Sequence, residues 1–252
     1  VNPLGAATGL FTIVPVRPFE VDRRIAARAM AAFPWLGLLL GAAAGGALWG
    51  AWHLAGPLLG ALLGLVLLAG VTGAMHLDGV ADTADGLGSR RPPEEALVIM
   101  RRSDIGPMGV ATLVLVLLLD AAALASMPGP LPAALALASA AALGRLAVTT
   151  ATVSTRSARE RGFGALFVGV TRFRTAALTW VAVLGIVLAA AWWAGRHQAL
   201  LAAGIGLTAA ALAGALWSRH LLRRLGGWTG DTFGSLIEVT QTAFLVAFAL
   251  AA

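Results

Sequence analysis

The chain has 252 residues, of which 59% are hydrophobic and 12% charged, against about 25% charged in an ordinary soluble domain, which excludes a soluble globular protein. All 18 basic residues are Arg, set against 12 acids, giving a net charge of +6 and a pI near 11.6, a balance that would suit nucleic acid. No charge stands between Arg28 and Asp78, however, and only Asp120 between Asp104 and Arg145, so the charges form islands between apolar stretches; this excludes a nucleic-acid partner and indicates a multi-pass protein of the lipid bilayer.

In chain order, the N-terminal segment carries Arg17, Arg23, Arg24 and Arg28 around a short apolar run, Leu10 to Val16, which does not read as a cleavable signal peptide. Apolar runs then predict seven spans, at about 33–52, 55–76, 107–127, 132–152, 175–195, 199–217 and 236–252. Gly37, Gly41 and Gly45 on the first, and Gly56, Gly60 and Gly64 on the second, recur every four residues. Such smooth faces permit close helix packing where they meet, although in a chain with 31 Gly the spacing also arises by chance.

At the end of the second span comes His76-Leu-Asp78-Gly-Val-Ala-Asp82-Thr-Ala-Asp85-Gly86. Offsets of four and seven place Asp78, Asp82 and Asp85 on one helix face, where like charges repel and need a cation. Arg90, Arg91, Arg101 and Arg102 in the same segment would supply one kind of compensation; Mg²⁺, held by carboxylates together with substrate phosphate, would supply another. The stretch Arg101-Arg102-Ser-Asp104-Ile-Gly106 and the later group Arg156, Arg159, Arg161 with Gly162-Phe-Gly164 suit either phosphate contact or anionic lipid.

Two charges lie inside predicted spans, Asp120 and Arg145. Their depths differ by about 10 Å on ideal helices, so they are expected not to pair. Arg145 reaches the face that carries the acids, whereas Asp120 is expected to snorkel or cap something local. Ahead of the last span, Gly226-Gly-Trp-Thr229-Gly230-Asp231-Thr232-Phe-Gly234-Ser235 offers backbone N–H groups and hydroxyls to an anion. Ser235 and Glu238 alternatively have the spacing of a capping box.

The predicted connections alternate between tight (53–54, 128–131, 196–198) and long (77–106, 153–174, 218–235). Counting the N-terminal segment, the long ones hold 16 of the 18 Arg. The positive-inside rule makes that side cytoplasmic, with the N-terminus inside and the chemistry on the cytoplasmic face of the inner membrane. The fold class is therefore an all-α polytopic helical bundle, one integral-membrane domain over residues 1–252.

The Asp-rich run from His76 to Gly86, Ile105-Gly106 with Gly109, Arg159 to Gly164, and Gly227-Trp-Thr-Gly-Asp231 with Glu238, in that order on a polytopic chain, resemble the cobalamin synthase (adenosylcobinamide-GDP ribazoletransferase) family. One departure is that Arg102 and Asp104 look exchanged relative to the family's charges. The resemblance implies a phosphotransferase for substituted phosphate groups that joins adenosylcobinamide-GDP to α-ribazole or its 5′-phosphate with Mg²⁺ and releases GMP. It implies Asp78, Asp82 and Asp85 as metal ligands, with Asp82, Asp231 and His76 in catalysis. Arg145, Arg159, Thr229 and Gly230 would bind substrate. A homo-oligomer stays open. The rivals are a CDP-alcohol phosphotransferase of the lipid type and a membrane transporter with its site at Asp120 and Arg145.

Overall fold

The computed structural model describes residues 1–154 and 156–252, without the side chain of Arg196. The described residues form ten helices: α1 Pro3–Phe11, α2 Arg23–Ala55, α3 Pro57–Val71, α4 Met75–Gly88, α5 Pro93–Ile99, α6 Pro107–Ala125, α7 Pro130–Ala151, α8 Phe163–Phe167, α9 Phe173–Leu225 and α10 Gly230–Ala251. Among the described residues six segments are long and apolar enough to cross a membrane, Arg23–Ala55, Pro107–Ala125, Pro130–Ala151, Phe173–Ala194, His197–Leu225 and Gly230–Ala251. A seventh is reached when the bent pair α3 and α4 counts as one.

The helix borders differ from the sequence expectation where polar residues continue a helix beyond its apolar run. α2 begins ten residues earlier than the predicted span, on the N-cap Asp22, whose carboxylate accepts from Ile25 N at 2.7 Å. α10 starts at Gly230 instead of 236 because Thr229 caps it. The predicted 55–76 span is instead the 15-residue α3, about 22 Å long at 1.5 Å per residue. Gly73 and Ala74 then take left-handed backbone angles (φ 61° and 56°) and turn α4 by 89° away from α3. α4 is therefore not a continuation of the crossing: it lies against α10 and carries the acids.

α2 and α7 are the tightest pair and run antiparallel. A Cβ on Gly37 would meet Ala141 O at 2.5 Å, one on Gly41 would meet the Cβ of Ala141 at 2.7 Å, and one on Gly45 would meet Ala134 O at 2.6 Å. The first glycine stripe thus packs on α7, not on the second span's stripe, because Ala134, Ala138 and Ala141 give α7 the matching small-residue face. Gly60 and Gly64 pack on α2 near Leu48 and Trp52, and Gly64 also meets Leu137 of α7. Gly56 packs against nothing within 4 Å and turns the chain at φ 90°.

A straight 53-residue helix would put Trp180 and Gly214 about 51 Å apart, yet they line one cavity with Thr150 and Trp228. The two crossing segments of α9 therefore double back on each other. Trp180 Nε1 donates to Thr150 Oγ1 (2.8 Å) and Trp217 Nε1 to Ser235 Oγ (3.0 Å), which ties both ends of α9 to the same end of the bundle. The N-terminus of α2, the C-terminus of α7, α4, and the N-termini of α6 and α10 all gather there.

Candidate active site

α4 crosses α10 where neither helix has a side chain. A Cβ on Gly79 would stand 2.6 Å from Asp231 O, and one on Gly234 would stand 3.1 Å from His76 O. Two glycines facing each other bring the backbones together, and this contact sets Asp78 and Asp82 of α4 beside Asp231 in the first turn of α10. Thr229 builds that turn. It is 2% exposed, its hydroxyl accepts from Thr232 N (3.2 Å), Thr232 Oγ1 accepts from Thr229 N (2.8 Å), and Thr229 Oγ1 donates to Asp231 Oδ2 at 3.3 Å. The capping box is thus Thr229 with Thr232, and not Ser235 with Glu238: Ser235 is already inside the helix and donates to Thr232 O.

Arg159 arrives from a distant segment by a short parallel bridge. Ala158 N donates to Trp228 O and Trp228 N to Arg156 O, both at 3.0 Å. One residue on, Arg159 Nη1 lies 3.4 Å from Asp231 Oδ2, while Nη2 donates to Leu97 O at 3.1 Å. Burial pulls the Arg159 guanidinium below its ordinary pKa, and the neighbouring Asp231 opposes this. Gly227 is indispensable to the bridge, because a Cβ there would collide with the backbone of Ser157 and Ala158. Gly227→Ala is expected to displace Arg159 and lower kcat about 10²-fold, the usual effect of a misplaced charge near 1 Å, with a smaller loss in thermal stability; steady-state kinetics and a melting curve on the purified variant check both.

The three acids of α4 diverge in their surroundings. Asp78 is exposed and lines a cavity of about 340 Å³ together with His76, Gly230 and Asp231. Asp82 and Asp85 line a second one of about 230 Å³ that also holds Arg102 and Asp104. Asp82 is pushed up to about 7 by burial and then by Asp78, Asp231 and Asp85, against the pull of Arg159. Asp85 accepts from Gly106 N (2.6 Å) and Gly109 N (2.8 Å), one bond to each oxygen. It thereby holds the N-terminus of α6, where four N–H groups otherwise lack partners.

Negative charge at the crossing exceeds what Arg159 neutralises, and hard oxygen donors are what Mg²⁺ takes. Among the described residues no three His, Asp or Glu are preassembled around one metal position.

Beneath the crossing lies a buried polar set. Arg145, 1% exposed, donates to Ala141 O (3.2 Å), to Gln241 Oε1 (2.7 Å) and, through Nη2, to His76 Nδ1 at 3.3 Å. Gln241 Nε2 donates to Glu238 Oε2 at 2.8 Å, and Glu238 Oε1 stands 3.9 Å from His76 Nδ1. Arg145 therefore sits below the acids and holds His76, without reaching the Arg159 and Asp231 pair. Asp120 neither snorkels nor caps. It is 2% exposed, has an unpartnered Oδ1, and lines the same 30 Å³ void as Arg145, Glu238 and Gln241. Asp120 and Arg145 form no ion pair among the described residues, in line with the depth difference expected from the sequence, although both line this void. Gln241 was silent in the sequence because it carries no charge. The sequence offers Glu238 as a capping-box partner of Ser235 and as part of the last family motif, not as a partner of Gln241 and His76.

The sequence profile of the family described as Cobalamin-5-phosphate synthase matches residues 3–249. A protein of Frankia casuarinae named adenosylcobinamide-GDP ribazoletransferase is 39% identical over 96% of this chain and 92% of its own. One of Stutzerimonas stutzeri with the same name is 40% identical over 98% of both, and one of Roseiflexus sp. is 35% identical over 99% of this chain and 90% of its own. No solved structure matches the chain.

Proposed function

The chain belongs to the Cobalamin-5-phosphate synthase family, and from that premise we propose that it is the transferase of final cobamide assembly, joining adenosylcobinamide-GDP to α-ribazole or its 5′-phosphate. A ribose hydroxyl oxygen attacks the phosphorus that stays on cobinamide, the bond from that phosphorus to the GMP oxygen breaks with its electron pair leaving on GMP, and the hydroxyl proton passes to water. The product is adenosylcobalamin or its phosphate. The single observation that carries this reading is the glycine-to-glycine crossing of α4 and α10, which gathers Asp78, Asp82 and Asp231 beside Arg159 between two cavities.

Asp82 of α4 and Asp231 of α10, one carboxylate from each helix of the crossing, would hold Mg²⁺, with Asp78 beside them. When bound, the ion would neutralise diphosphate charge that grows on the departing GMP. Arg159 binds the same diphosphate from the opposite side, and its contact with Asp231 keeps both groups in place until substrate arrives. Gly230, on the cavity wall, presents backbone at the α10 N-terminus to a phosphate oxygen. Thr229 acts by holding Asp231, and Asp85 by fixing the start of α6. Arg145 positions His76 at the cavity floor. The site works on the cytoplasmic face of the inner membrane, a reading supported by the 16 Arg of the long segments. Transport through Asp120 and Arg145 is disfavoured, since the void they share, about 30 Å³, has room for a water or two and no substrate.

The test is a product assay on purified protein in lipid with adenosylcobinamide-GDP and α-ribazole, in Mg²⁺ or in EDTA, read by mass spectrometry. GMP and cobamide are expected in equal amounts with Mg²⁺ and neither with EDTA. Equal yields in both conditions would remove the metal from the mechanism, and no product from folded protein in Mg²⁺ would remove the transferase.

A further inference from the structure

The cavity of about 340 Å³ beside Asp78 and Asp231 has two kinds of lining. One is polar. The other is formed by Phe11, Phe33, Phe163 and Phe167, which come from three helices, α1, α2 and α8, and pack on one another, with ring centroids 4.2 Å apart for Phe11 and Phe33, 5.4 Å for Phe11 and Phe167, and 5.0 Å for Phe163 and Phe167. Phe163 is 46% exposed, so one of the rings lies at the rim of the cluster.

Three chemical pieces must be placed near the acids if the transferase reading holds. The corrin with its amide side chains is far larger than this cavity. Guanine has amide and amine edges that phenyl rings cannot satisfy, and buried unpaired polar groups are costly. The charged cavities alongside, one with Arg102 beside Asp82 and one with Arg23 and Arg159, suit the diphosphate donor. What remains is the benzimidazole nucleoside, a planar ring system with no N–H on its base and a hydroxylated sugar at one end. Its planar base and hydroxylated sugar match the aromatic and the polar lining of the cavity.

We propose that this cavity is the acceptor subsite, with the base lying among Phe11, Phe33, Phe163 and Phe167 and the ribose against Asp78 and Asp231. The inference rests on the transferase reading and adds which part of the site selects the base. It also sets selectivity: ribosides of benzimidazoles bind in preference to ribosides of purines, whose amine and ring nitrogens find no partner on phenyl walls.

The experiment measures equilibrium binding of α-ribazole by calorimetry to the wild-type protein in detergent, to Phe163→Ala and to Phe163→Trp. Acceptor and donor KM follow for each. Because Phe163 lies at the rim, its removal leaves the buried rings in place. The expected result is an α-ribazole Kd and acceptor KM raised about tenfold in Phe163→Ala, the scale of one lost base–aromatic stack. Phe163→Trp should restore both, with donor KM unchanged throughout. An unchanged α-ribazole Kd, a rise confined to donor KM, or an effect that tracks only the lipid content of the sample would each overturn the subsite. Product formation with unaltered acceptor affinity in Phe163→Ala would retain the transferase and sink the subsite. Phe163-dependent binding without any product would do the reverse.

Discussion

Asp82→Asn should retain its fold and lose turnover by at least about 10³-fold, the scale on which removing a group that stabilises developing phosphate charge acts. The side chain keeps its shape and loses only its charge. Asp82 is half-buried among Asp78, Asp231 and Asp85, with Arg159 as the opposing charge. In the folded protein the ionised carboxylate is disfavoured by burial and by its neighbours, so at pH 8 without metal the Asn variant should melt at the same temperature as wild type or slightly higher. Mg²⁺ should then raise the melting temperature of wild type and leave that of Asp82→Asn unmoved, because a ligand stabilises only the state that binds it. A variant with near-normal rate, or one that responds to Mg²⁺ as wild type does, would end the assignment of Asp82 to the metal.

The Asp-rich helix was legible because offsets of four and seven in eight residues have one reading on a helix, and α4 is that helix. The crossings were legible because apolar length is set by bilayer thickness. Other features depend on contacts between distant residues and leave no local trace. Nothing in the sequence shows that Gly79 faces Gly234, or that Trp228 pairs with the backbone around Ser157 and so carries Arg159 to Asp231. The four Phe of the cavity come from α1, α2 and α8, and α1 and α8 are too short for hydrophobic periodicity to reveal. Arg145 was read correctly as an ion inside a span, but its direction along α7 depends on side-chain lean and on partners in α4 and α10 that spacing does not disclose.

Those partners make Arg145 the residue whose loss should cost most in stability. Its guanidinium, Gln241 and Glu238 form a buried chain in which the Gln241 carbonyl accepts from Arg145 while its amide donates to Glu238. Arg145→Met fills similar volume with apolar atoms and leaves Glu238 buried with no cation, an uncompensated charge that destabilises by about 3–5 kcal/mol. Replacing the whole set by uncharged groups of similar size is by contrast often neutral. The double variant Arg145→Met with Glu238→Gln should therefore regain most of the melting temperature that the single variant loses, read by thermal denaturation in one detergent. Activity should not return with it. His76 Nδ1 accepts from Arg145 in the wild type, and with that donor gone the ring no longer has a fixed orientation at the cavity floor. A refolded double variant with kcat reduced about tenfold or more would make Arg145 a positioning residue for His76. Full recovery of both stability and kcat would leave it a structural ion alone.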